Sequence, residues 1–223
     1  MSTLYIVATP IGNLKDITLR ALEILKEVDF IVAEDTRVTS RLLNAYEIEK
    51  PMMFYHQHSD NEEKIIKLLK DGKNVALVSD AGTPGVNDPG GKLVEAVLNS
   101  KLNISIVPIP GASAIMSLLS VAGIPLETFL YKGFIPNKKG RETFMKEVNA
   151  SETPVVFFES VHRVEKMLEQ MEKFFEPHKR MIVGRELTKM FETVYRGTVE
   201  EVREQLVAEQ VKGEFVVLVY NTR

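Results

Sequence analysis

An α/β protein of two domains is predicted by three observations. Short apolar runs alternate with helix-spaced apolar stripes through the first half of the chain, and Gly- and Pro-containing loops separate them. The pattern then breaks at Gly123-Ile124-Pro125 and resumes with more strand character. The length, 223 residues, suits one large domain or two small ones. The domains are accordingly read as 1–123, with a mostly parallel sheet, and 124–223, with a mixed sheet. A small-molecule cleft between two such halves is a common arrangement.

Each element follows in order. Residues 4–9 form a short apolar run ending in Thr-Pro, a buried strand entering a loop. Ala21, Ile24, Leu25 and Val28 then fall at i, i+3, i+4 and i+7, one buried helical face, and residues 30–33 return to a strand. Asp60 with Glu63 resembles a capping box for a helix carrying Ile65, Ile66, Leu68 and Leu69, with Gly72 placed to end it. A strand at 74–78, a helix at 92–98, a strand at 104–107 and a helix at 113–121 complete the alternation. That alternation predicts a parallel sheet covered by helices. In the second half, strands are expected at 129–134, 155–158, 181–183, 193–196 and 215–220.

Composition excludes several function classes. The sequence has no cysteine, which removes disulfides, thiolate catalysis and Cys-based zinc sites and suits a reducing, cytoplasmic setting. It has no signal-peptide pattern and no membrane-length apolar run. The formal net charge of −3 means that any nucleic-acid contact must come from local cations.

Three familiar motifs fail. The dinucleotide fingerprint G-x-G-x-x-G is absent. Gly85 and Gly90 have P-loop spacing, but Gly91 occupies the lysine position. The stretch PGASAI resembles a nucleophile elbow until Ile115 replaces its last glycine. His56, His58 and Asp60 could ligate a metal, which would suit a hydrolase; alternatively they are polar loop residues beside a helix cap. No metal is assigned.

A different set of loops carries the functional signal. The segment VSDAGTPGVNDPGGKLV at 78–94 places a strand end, a small-residue loop and a helix start in order, as close backbone approach by a polar ligand requires. Alone it could be a simple connecting turn. However, ATPIGNLKDIT, AEDTRVTSRLL and PIPGASA also follow predicted strands, and in a parallel sheet such loops share the carboxyl edge where ligands collect.

On these blocks, joined by GFIPNKKGR at 133–141, ESVHR at 159–163 and RELTKMFETVYRG at 185–197, the chain resembles the tetrapyrrole-methylase-like superfamily. The likeness is to its branch that methylates a cytidine ribose in small-subunit ribosomal RNA. In tetrapyrrole methylases proper the first block reads like G-x-G-P-G; here Thr9-Pro10-Ile11-Gly12-Asn13 stands in its place. A small-molecule tetrapyrrole methylase is the alternative within the superfamily. Val161 stands where the RNA branch usually has proline, which concerns a local turn. The sequence stops soon after Tyr220, without the C-terminal helical segment that many relatives carry, which concerns RNA docking.

The resemblance implies two α/β domains with S-adenosylmethionine in the cleft between them, a 16S rRNA substrate within the 30S subunit, and a homodimer. Carried over residue by residue, it places Pro10, Ser79, Asp80, Ala81, Gly82, Pro84, Ser113 and Ala114 at the cofactor, with Phe158 and Leu187 from the second domain. Asp80 is suited to the cofactor's cationic charge. Methyl transfer is a direct displacement, so the protein chiefly aligns the attacking oxygen and excludes water. A ribose hydroxyl is a weak nucleophile and calls for a base or a cation. Candidates are Asp35, Arg37, Glu186 and Lys189; the alternatives are an exposed turn pair for the first two and an ion pair at helical spacing for the others. Candidate RNA contacts are Arg41, Lys138, Lys139, Arg141, His162, Arg163, Arg185 and Arg196, each of which could instead be solvated surface.

Overall fold

The computed structural model describes residues 2–56, 61–208 and 213–222, which form two compact units, Met1–Ser113 and Ala114–Arg223. The division falls at Ser113 rather than near Gly123, because the helix Ala114–Ser120 packs against a strand of the second unit.

In the first unit, strands β1 (Thr3–Val7), β2 (Phe30–Ala33), β3 (Met52–Phe54), β4 (Val75–Val78) and β5 (Ser105–Ile109) form one sheet in the order β3-β2-β4-β1-β5. Every pairing is parallel. Helices α1 (Leu19–Glu27), α2 (Thr36–Ala45), α3 (Glu62–Lys70) and α4 (Gly91–Asn99) make the crossovers. The central strand β4 is buried at all positions, as a parallel strand covered on both faces must be. Its alternation divides the core: Ala76 and Val78 join Leu25 of α1 and Leu43 of α2, while Val75 and Leu77 join Ile65 of α3 and Leu93 of α4. The predicted face of α1 is the buried one, and Thr18 caps the helix by accepting a hydrogen bond from the Ala21 N–H at 3.1 Å. At α3 the residue before the helix is Asn61, without a side-chain cap; Asp60 of the expected capping box lies outside the described residues. Helix α2 and the three-residue β3 are additions to the sequence reading.

In the second unit, β6 (Leu130–Phe134), β7 (Val155–Ser160), β8 (Lys179–Arg185), β9 (Thr193–Gly197) and β10 (Glu214–Asn221) form a mixed sheet ordered β6-β7-β10-β8-β9. Only β6 and β7 run parallel. All five lie where strands were expected. Helices α5 (Ala114–Ser120), α6 (Arg141–Ala150), α7 (Val164–Phe174) and α8 (Val199–Ala208) accompany them. Helices α6, α7 and α8 join the sheet in one core that includes Phe144, Met167, Val202 and Val217. Among the described residues, no helix is long and apolar enough to cross a membrane.

Candidate active site

Parallel pairing puts the ends of β1, β2, β4 and β5 on one edge of the first sheet, so the four loops singled out from sequence emerge together. The loops after β1 and β4 are tied directly. Thr9 and Gly82 exchange backbone hydrogen bonds at 2.9 and 3.0 Å, and the buried Thr9 hydroxyl donates to the Ser79 carbonyl at 3.0 Å. The β5 loop comes equally close: a Cβ at Gly111 would lie 3.0 Å from that of Ala8. Gly90, at φ +146°, precedes α4 where a Cβ would meet Leu77 Cδ2 at 3.0 Å and the Gly85 nitrogen at 3.1 Å. Pro10, Ser79, Gly82 and Pro84 are buried here, Asp80 and Ser113 are half-buried, and Ala81 is exposed. Half-buried Ala114 opens α5 in the second unit.

Acidic groups dominate the electrostatics of this edge. The Asp80 carboxylate accepts from the Asp35 N–H at 2.9 Å. Burial raises the Asp80 carboxyl above its ordinary range, against the hydrogen bond from the Asp35 N–H, which lowers it. Burial likewise raises Glu34, against a hydrogen bond from the Asp80 N–H, which lowers it. Asp88 is pushed up to about 6 by burial and by the charges of Glu34 and Asp80. Glu34 and Asp88 were not selected from sequence, although both stand inside the quoted motifs; their shared neighbourhood is a product of the fold.

Asp35 behaves in the opposite way. Its side chain caps α2 by accepting from the Arg37 N–H at 2.8 Å, and the Arg37 guanidinium grips it at 2.6 to 3.2 Å. That hydrogen bonding holds the Asp35 carboxyl down to about 2, so it is a weak base. Arg37 and Arg41 are exposed on α2.

In the second unit, Glu186 and Lys189 are indeed paired, at 2.9 Å, but on the β8–β9 turn and not on a helix. Glu186 and Thr188 have φ of +48° and +68°, uncommon for residues with side chains. The Glu186 carboxylate accepts from the Glu214 N–H at 2.9 Å, and Lys189 also reaches Glu214 at 3.0 Å. Burial opposes both charges, but the contacts prevail: Glu186 is lowered by the Glu214 N–H and Lys189, and Lys189 is raised by its two carboxylates. Leu187 is buried between them in sequence, and Phe158 is half-buried on β7, packed edge-on to Tyr131.

The residues expected at RNA differ in exposure. Lys138, Lys139, His162 and Arg196 are exposed, and Arg196 also donates to the Val121 carbonyl at 2.6 Å. Arg185 is half-buried. Arg141 departs from the expectation of an RNA contact: only 4% exposed, it is turned inward and pairs with the buried Glu159 at 3.0 Å, which leaves it little surface to offer a phosphate. Arg163 binds the same carboxylate at 2.9 Å. Of the possible metal trio, His58 and Asp60 lie outside the described residues, and His56 packs edge-on to Phe54. Among the described residues no group of three His, Asp or Glu side chains could hold a metal.

The family model of Tetrapyrrole (Corrin/Porphyrin) Methylases matches residues 3–203. The chain belongs to the tetrapyrrole methylase family. Within that family the chain is 48% identical to the ribosomal RNA small subunit methyltransferase I of Neisseria meningitidis, over 98% of this chain and 76% of the relative. It is 41% identical to the Bacillus subtilis protein of that name, over 98% and 75%. Solved structures share the methylase fold at lower identity. A cobalt precorrin-4 methyltransferase of cobalamin biosynthesis matches with a TM-score of 0.70 at 16% identity, covering 98% of this chain and 94% of that one. A uroporphyrin-III C-methyltransferase from Thermus thermophilus gives 0.67 at 19%, covering 97% and 93%.

Proposed function

We propose that this methylase-family chain transfers a methyl group from S-adenosylmethionine to the 2′-oxygen of a cytidine ribose in 16S rRNA, acting on the 30S subunit in the cytoplasm as a homodimer. The observation that carries the reading is the likeness, over 98% of this chain, to relatives named for small-subunit ribosomal RNA methylation. The residues present fit the cofactor. Small residues at Ala81, Gly82 and Gly111 admit close approach to the backbone, and the half-buried carboxylates of Glu34, Asp80 and Asp88 suit a cationic ligand. The reading assigns cofactor contacts to Pro10, Ser79, Asp80, Ala81, Gly82, Pro84, Ser113 and Ala114, with Phe158 and Leu187 from the second unit. When bound, S-adenosylmethionine supplies a methyl carbon already activated by its sulfonium.

Chemistry at the ribose then falls to the turn after β8. Lys189, held protonated by Glu186 and Glu214, is suited to stabilise a developing alkoxide and not to abstract a proton. Glu186 anchors it. Asp35, with its carboxyl near 2 and bound to Arg37, serves as the cap of α2 in this reading, and Arg37 and Arg41 stand on the rim.

The test is transfer of radiolabelled methyl from S-adenosylmethionine to 30S subunits lacking their own modification, with mass mapping of the labelled nucleotide. Label on a cytidine ribose is expected. Cofactor binding without label on subunits or naked rRNA would shift the reading to a small-molecule tetrapyrrole methylase. Lys189→Ala is expected to keep cofactor affinity while slowing transfer by roughly 100-fold or more, the scale of losing one electrostatic stabiliser; near wild-type turnover would remove Lys189 from the chemistry.

A further inference from the structure

Two loops leave the same edge of the second sheet. Residues 135–140 follow β6 and residues 161–163 follow β7, and because these strands are parallel the loops emerge side by side. Beneath them lies Glu159, 1% exposed, with its carboxylate fully engaged. Arg141 donates to its Oε2 at 3.0 Å, while Arg163 and the Ser160 N–H reach its Oε1 at 2.9 and 2.8 Å.

Both guanidiniums extend the clasp into the first loop. Arg163 donates to the Ser160 hydroxyl at 3.0 Å, to the Ile135 carbonyl at 3.2 Å and to the Asn137 side-chain oxygen. Arg141 donates to Gln170 on α7 at 2.6 Å and to the Pro136 carbonyl at 3.4 Å. The side chains turned outward are different ones: Lys138 and Lys139, exposed between the fastened Asn137 and the left-handed Gly140, and His162 on the neighbouring loop. Apolar packing could fasten a loop without desolvating three charges, so a clasp of this kind is suited to fixing one geometry.

The geometry points to a composite phosphate-binding rim formed by Lys138, Lys139 and His162, with Glu159, Arg141 and Arg163 as positioning residues that set its spacing from below. This inference rests on the RNA reading above. Its ligand is the ribose-phosphate backbone, for which lysines act as point charges and a prefixed spacing lowers the ordering cost of binding.

The discriminating variant is Arg163→Lys, which keeps a cation beside Glu159 but cannot span Ser160, Ile135 and Asn137 together. It is combined with Lys138→Ala/Lys139→Ala in a double-mutant cycle. The readouts are binding of unmodified 30S subunits and of S-adenosylmethionine, with melting curves as the folding control. Arg163→Lys alone is expected to weaken RNA binding about tenfold at constant cofactor affinity, and to add less than about twofold once both lysines are gone. Wild-type affinity in Arg163→Lys, or effects that multiply in full with the lysine changes, would overturn the rim. Should Arg163→Lys not fold, Asn137→Ala, which cuts one tie of the loop, carries the same expectation and the same overturning result. A wild-type protein that binds cofactor but labels no rRNA would defeat the RNA reading itself, a result separate from any of these.

Discussion

At the scale of single residues, Asp35 and Asp88 lie on the same sheet edge yet are driven in opposite directions. Asp88, raised to about 6 in the folded chain from an ordinary 3.8, prefers to be neutral there. As pH rises from about 4 to about 6 the unfolded chain loses this proton first, so the residue's contribution to stability falls through that window and stays unfavourable above it. Asp88→Asn is therefore expected to melt higher than wild type at pH 8, with the gain vanishing near pH 4; equal melting temperatures at pH 8 would show that burial does not burden this carboxyl. On the proposed reading, such a burden would be relieved when the cationic cofactor binds this edge. Charge type was legible in the sequence at these positions, but direction was not. Arg141 and Lys139 are close neighbours in one motif, and only the fold reveals that one points inward to Glu159 and the other outward.

At the scale of elements, the sequence was most legible where periodicity and burial coincide. The stripe of α1 and the runs of β1, β2 and β4 could be read because both faces of the first sheet are covered. Strand β3 is too short, at three residues, for a period to show. Helix α2 opens with Thr-Arg-Val-Thr-Ser, a weak helix-forming stretch, and is secured by the Asp35 cap together with burial of Leu42 and Leu43. The loop between β4 and α4 was legible through its glycines, and Gly90 shows why they are needed. Gly90→Ala places a Cβ against Leu77 and the Gly85 backbone at a left-handed φ, and is expected to cost about 1–3 kcal/mol in denaturant titration. An unchanged midpoint would mean that the loop relaxes freely.

At the scale of the whole molecule, a formal charge of −3 gives no general attraction to RNA, so the salt dependence of binding must come from a few local cations. Lys138→Ala/Lys139→Ala is expected to reduce the slope of log affinity against log salt by roughly one to two, about one for each phosphate no longer neutralised. An unchanged slope would place the RNA-binding cations elsewhere. The strand orders carry a further consequence, for synthesis on the ribosome. Strand β1 sits between β4 and β5, so the first element made has no neighbour until residue 75 and no second neighbour until residue 105. In the second sheet the central position goes to β10, the last element. At about 5–20 residues per second, the apolar β1 waits several seconds or longer for its place, and β7 and β8 stay apart until β10 arrives between them. Each half is thus finished by a strand from far along the chain, so the strands made earlier keep unpaired edges while synthesis continues, the condition under which transient misassociation is favoured.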